Sequence, residues 1–121
     1  MKPLPFLLCL MSLFGCKAAD FRSVDAETFA QVIEDTTVVR LDVRTANEYA
    51  QGHIPNALLI DVTQADFMQK AEQLLPKDKT IALYCRSGRR SKNAAMQLAK
   101  HGYQIVELNT GFNSWKGEIE R

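Results

Sequence analysis

From residue 20 onward, short β-branched runs alternate with stretches of helical periodicity, and few folds accommodate that pattern. TVVRLDV at 37–43 and TIALY at 80–84 read as buried strands, because a strand covered on both faces is apolar almost throughout. Shorter runs at 21–24, 57–60 and 104–108 complete a set of five. Between them, Asp25 is placed to cap a helix whose apolar side is Phe29, Ala30, Val32 and Ile33. Residues 64–75 have helical periodicity and stop before Pro76. Residues 89–101 put Ala94, Ala95, Leu98 and Ala99 on one side, and Gly102 sits where a glycine ends a helix. A helical turn at 46–50, a Gly/Pro turn at 52–56, a charged turn at 76–79 and a last helical piece from 112 to about 117, with Trp115, fill the remainder. The alternation predicts an α/β fold: a central, mainly parallel five-stranded sheet with right-handed crossovers and helices on both faces. Reactive groups in such sheets gather at the carboxyl ends of the strands.

The first 15 residues stand outside this pattern. Lys2 is followed by an apolar run that ends in small residues, which is the layout of a secretory signal and too short to span a bilayer. Leu13-Phe14-Gly15-Cys16 resembles the lipobox of bacterial lipoproteins, with bulky Phe14 where a small residue is usual. Cleavage before Cys16 would leave that cysteine acylated; the competing site follows Ala18 or Ala19. Either way the folded part is expected to be exported, periplasmic or held by a lipid on a bacterial membrane facing the periplasm. Residues 20–121 are long enough for one domain with its own core.

Export sharpens the cysteine count. Cys9 leaves with the signal, Cys16 is lipidated or removed, and Cys85 remains alone. A lone thiol in an exported chain has no intramolecular disulfide partner. The two histidines, His53 and His101, lack ligand-spaced neighbours, so neither a metal nor another cofactor is expected. Charge is uneven along the chain: residues 20–76 hold ten acidic and four basic side chains, residues 77–107 two acidic and seven basic. The basic cluster is short, which suits a small anion. A nucleic-acid surface would need a wider stripe with aromatic platforms.

The cluster surrounds Cys85 in YCRSGRRS, 84–91. A loop between a strand and a helix N-terminus can turn its backbone N–H groups inward as an anion nest, reinforced by the helix dipole. Gly88 permits a conformation other residues resist. Ser87 and Ser91 can donate hydrogen bonds, Ser91 can also cap the helix, and Arg86, Arg89 and Arg90 add full charges. Each contribution favours thiolate over thiol and predicts a lowered Cys85 pKa with no histidine base. The bland alternative is an inert buried cysteine before a solvated basic helix.

Two segments carry a family resemblance. LDVRTANEYAQGHIPNALLI at 41–60 resembles the rhodanese signature D-V-R-x-x-x-E-[YF]-x-x-G-H-I-P-x-A, and 84–115 resembles the rhodanese active-site loop, its helix and the terminal G-G-x-x-x-W element. The resemblance implies a rhodanese-like single-domain sulfurtransferase in which Cys85 carries a persulfide. The backbone of residues 86–90 would then cradle the sulfur, and Arg86 and Arg90 would attract an anionic donor such as thiosulfate. Asp42 and Arg44 would pack beneath the loop as a charge pair, and Glu48 and His53 would support the turn. Cyanide or a thiol, including a protein thiol, would accept the sulfur, and the chain is expected to be monomeric. Thr110 replaces the first glycine of G-G-x-x-x-W; threonine resists positive φ, so that turn is expected to shift. Two alternatives stay open. One is a sulfur carrier serving one protein partner. The other is a rhodanese-like cysteine phosphatase or arsenate reductase, which needs Cys-x5-Arg, whereas that spacing from Cys85 lands on Ser91.

Overall fold

The structure is a computed structural model that describes residues 20–121. The expected signal segment, residues 1–15, and Cys16 lie outside the described residues. Strands β1 (Arg22–Val24), β2 (Val39–Asp42), β3 (Leu58–Leu59), β4 (Thr80–Tyr84) and β5 (Gln104–Leu108) form one sheet in the order β1-β5-β4-β2-β3. Every pairing is parallel. Helices α1 (Ala26–Val32), α2 (Ala46–Gln51), α3 (Phe67–Leu74) and α4 (Arg89–Lys100) connect the strands, and a 3-10 helix follows at Phe112–Ser114.

Side-chain parity along the strands divides the core in two. On one face Ile81, Leu83, Cys85 and Ile105 pack against Phe67, Ala71 and Leu75 of the α3 region and Ala94, Ala95 and Leu98 of α4. On the other, Ala82, Tyr84, Val106 and Leu108 pack against Phe29, Ile33, Phe112 and Trp115. The central strand β4 is buried from Ile81 to Tyr84, as an apolar run covered on both sides must be.

Local chemistry accounts for the element ends. Asp25 accepts from the Thr28 N–H and starts α1. Thr45 and Glu48 form a reciprocal capping box on α2. After α4, Gly102 N–H bonds Ala99 O and Tyr103 N–H bonds Leu98 O, with Gly102 at φ 93°, a Schellman end. Several elements are shorter than the sequence predicts; β2 covers Val39–Asp42 rather than 37–43, and β3 covers Leu58–Leu59 rather than 57–60. Helix α3 begins at Phe67 rather than 64, because Asp61 accepts from the Thr63 N–H and hydroxyl and holds the preceding residues in a turn. The last helical piece ends at Ser114, where Trp115 turns extended and its indole N–H reaches Glu118 O.

Candidate active site

Cys85 follows β4 at the carboxyl edge of the sheet, and α4 starts four residues later. The intervening loop is shaped from outside. Cys85 O accepts from Phe112 N–H at 2.8 Å and Arg86 O from Asn113 N–H at 3.0 Å, both in the 3-10 helix. With its carbonyls drawn outward, the loop turns its N–H groups toward the sulfur. Gly88, at φ 100°, donates its N–H to Sγ at 3.1 Å. A side chain at Gly88 would also collide with Asn109 O, and one at Gly111 with the backbone of Arg86 and Ser87. Gly111, at φ 71°, therefore serves the close approach, and Asn56 is the non-glycine residue with positive φ among the described residues. Thr110 is not among the residues of positive φ, and its hydroxyl donates to Ser114 Oγ at 2.6 Å, so the left-handed conformation at this turn falls to Gly111.

The Cys85 residue is fully buried. Burial pushes its thiol up, but the Ser91 hydroxyl and the backbone N–H groups of Ser91, Gly88 and Ser87 outweigh it, and the net pKa is lowered. The sulfur lies 3.4 Å from Ser91 Oγ. Ser91 does not cap the helix: Gly88 occupies the cap position, and Ser91 lies within the first turn with its hydroxyl donated to Glu107 at 2.5 Å.

The arginines of the loop divide. Arg90 is committed to Glu48, donating from both terminal nitrogens at 2.8 and 2.9 Å. That pair holds the Glu48 carboxyl down at about 2, against partial burial and with help from Thr45. Arg86 and Arg89 are exposed and make no ion pair among the described residues. A cavity of about 250 Å³ opens beside the loop, lined by Arg44, Glu48, Gln51, Arg86, Phe112 and Asn113. Lys92 bonds Gly88 O, Glu107 and Asn109.

Asp42 and Arg44 form a buried pair at 2.7 Å beneath the loop. Arg44 also donates to Gly52 O at 2.7 Å and stacks on Phe112, 4.4 Å from the ring centroid. The pair thus fixes the 3-10 helix that shapes the loop. His53 stays in the turn, stacked on Tyr49 at 3.7 Å and 3.5 Å from Glu120. Sequence reasoning missed Glu107. This carboxylate is fully buried beside the loop, where it accepts from Ser23, Ser91 and Lys92. The available signal was parity: Glu107 shares the buried phase of Tyr103 and Ile105.

Comparison with known proteins places this geometry. The model of the rhodanese-like domain family matches residues 25–118. A protein named sulfurtransferase from Allochromatium vinosum is 36% identical over 94 residues, covering 76% of this chain and 85% of its own. The thiosulfate sulfurtransferase GlpE of Coxiella burnetii is 29% identical over 87 residues, covering 71% of this chain and 78% of its own. A rhodanese-related protein from Thermoplasma volcanium has a solved structure that matches with a TM-score of 0.70 at 28% identity, over 83% of this chain and 98% of that one.

Proposed function

The chain belongs to the rhodanese-like domain family, a family of sulfurtransferases, and on that premise we propose that it moves the sulfane sulfur of thiosulfate through a Cys85 persulfide to cyanide or a thiol. The observation that carries the reading is the approach of Gly88 N–H to the Cys85 sulfur at 3.1 Å within a nest of inward N–H groups. Such a nest favours an anionic sulfur, whether the thiolate before attack or the persulfide after it.

The reaction is a double displacement. The Cys85 thiolate attacks the outer sulfur of thiosulfate. A Sγ–S bond forms, the S–S bond of thiosulfate breaks, and its electron pair leaves with sulfite. The lone pair of cyanide carbon then attacks the outer sulfur of the persulfide. Thiocyanate forms, and the electron pair of the Sγ–S bond returns to Sγ as thiolate. Arg86, on the wall of the cavity and without an ion pair among the described residues, is the cation suited to the dianionic donor. Arg90 also faces Cys85, with its charge shared with Glu48 in a pair that anchors α4 to α2. The x5 spacing from Cys85 reaches Ser91, not the arginine that phosphate or arsenate chemistry needs, which favours sulfur transfer.

Thiocyanate formation from thiosulfate and cyanide tests the reading. Cys85→Ser is expected to abolish turnover while leaving the thermal transition in place. Retained turnover would exclude Cys85 as the carrier. Slow turnover with cyanide beside fast transfer to a protein thiol would instead identify a dedicated sulfur carrier.

A further inference from the structure

Ser91 has one hydroxyl proton and two neighbours that can use it. Its oxygen lies 2.5 Å from Glu107 Oε2 and 3.4 Å from the Cys85 sulfur. In the arrangement seen, the thiol donates to Ser91 and Ser91 donates to Glu107. A thiolate has no proton to give, and both of its neighbours would then want the same one. Glu107 can release it: Oε1 accepts from Ser23 Oγ at 2.5 Å, and Oε2 accepts from Lys92 Nζ at 3.2 Å.

We propose that Glu107 is a positioning residue that competes with the Cys85 sulfur for the Ser91 proton, so that Ser91 faces Glu107 while Cys85 is a thiol and turns to the sulfur when charge develops there. The proton stays on Ser91 Oγ throughout and only its acceptor changes; the thiol proton leaves to water. The inference rests on Cys85 as the sulfur carrier. In that reaction, negative charge returns to Sγ when the outer sulfur departs, and Ser91 would supply its donor at that moment.

Charges from several elements face this site. Arg90 of α4 faces Cys85 and is paired with Glu48 of α2, with Asp61 nearby; Lys92 of α4 faces Glu107. Glu107→Gln leaves Arg90, Glu48 and Asp61 in place, frees Lys92 from its ion pair, removes the buried negative charge beside the sulfur and weakens the acceptor. The thiolate ultraviolet absorbance, measured against pH with Cys85→Ser subtracted, reads the consequence without any sulfur donor. A failure here is therefore distinct from a failure of sulfur transfer. The midpoint is expected to fall by roughly one pH unit in Glu107→Gln, and by much less when Ser91→Ala is also present. A midpoint that rises or stays, or an equal fall in the Ser91→Ala background, would overturn the proposal. The wild-type protein gives a second readout should Glu107→Gln fail to fold. Short hydroxyl–carboxylate bonds give far-downfield proton resonances, and the one that Ser91→Ala removes should move upfield as Cys85 ionises. A resonance unmoved through that titration would also overturn it.

Discussion

Two buried carboxylates flank the central strand, and they are neutralised in different ways. Asp42 ends β2, and Glu107 lies one residue before the end of β5; both strands pair with β4. Asp42 meets Arg44, itself 4% exposed, through three side-chain contacts of 2.7 to 3.1 Å and one backbone N–H. Glu107 meets two serine hydroxyls and a lysine that is 44% exposed. A carboxylate locked to a buried guanidinium has no slack, and its service is architectural: it holds Gly52 and the 3-10 helix in register with the loop. A carboxylate held by hydroxyls can trade one of them, and Glu107 is the carboxylate whose hydroxyl partner touches the sulfur.

The largest test of this contrast is Asp42→Ala. It leaves Arg44 buried without its counter-charge, and unfolding free energy from urea titration should fall by about 3–5 kcal/mol. Glu107→Gln, measured in the same way, should cost clearly less, since Ser23 and Ser91 keep a partner and Lys92 can turn to water. Equal losses would erase the distinction. A smaller effect comes from the half-buried pair between Glu48 and Arg90. The folded-state Glu48 pKa is depressed from 4.5 to about 2, so the unfolded chain takes up a proton first as pH falls. Its contribution is therefore full above pH 4.5 and is lost on the way down to about 2. Melting temperatures across that window should fall less steeply in Glu48→Gln than in wild type. Parallel curves would show that the pair is worth little.

The contrast also marks what the sequence could tell. The β-branched runs set the five parallel strands, because burial on both faces demands continuous apolar side chains. Asp42 and Arg44 were legible as a pair, being two residues apart and within one signature. The nest around Cys85 was legible because its donors, Ser87, Gly88 and Ser91, all lie within six residues of the cysteine. Arg90 was legible as a cation near Cys85 but not as a paired one. Its partner Glu48 is 42 residues away, and only the crossing of α2 beside α4 brings them together. Ser91 read as a donor to the sulfur that could also cap the helix; it lies 3.4 Å from the sulfur, but the left-handed turn at Gly88 starts the helix earlier and leaves the hydroxyl free for Glu107. Glu107 itself lay in an apolar strand without a motif, so its role depends on which strand lies beside β4 and on Ser23 arriving from β1.

The central claim is that Cys85 carries sulfur, and an intact mass tests it most directly. The purified protein is incubated with thiosulfate beside Cys85→Ser. The account predicts a gain of one sulfur atom on the wild type alone, removed again by cyanide. No gain on the wild type, or the same gain on Cys85→Ser, would contradict it.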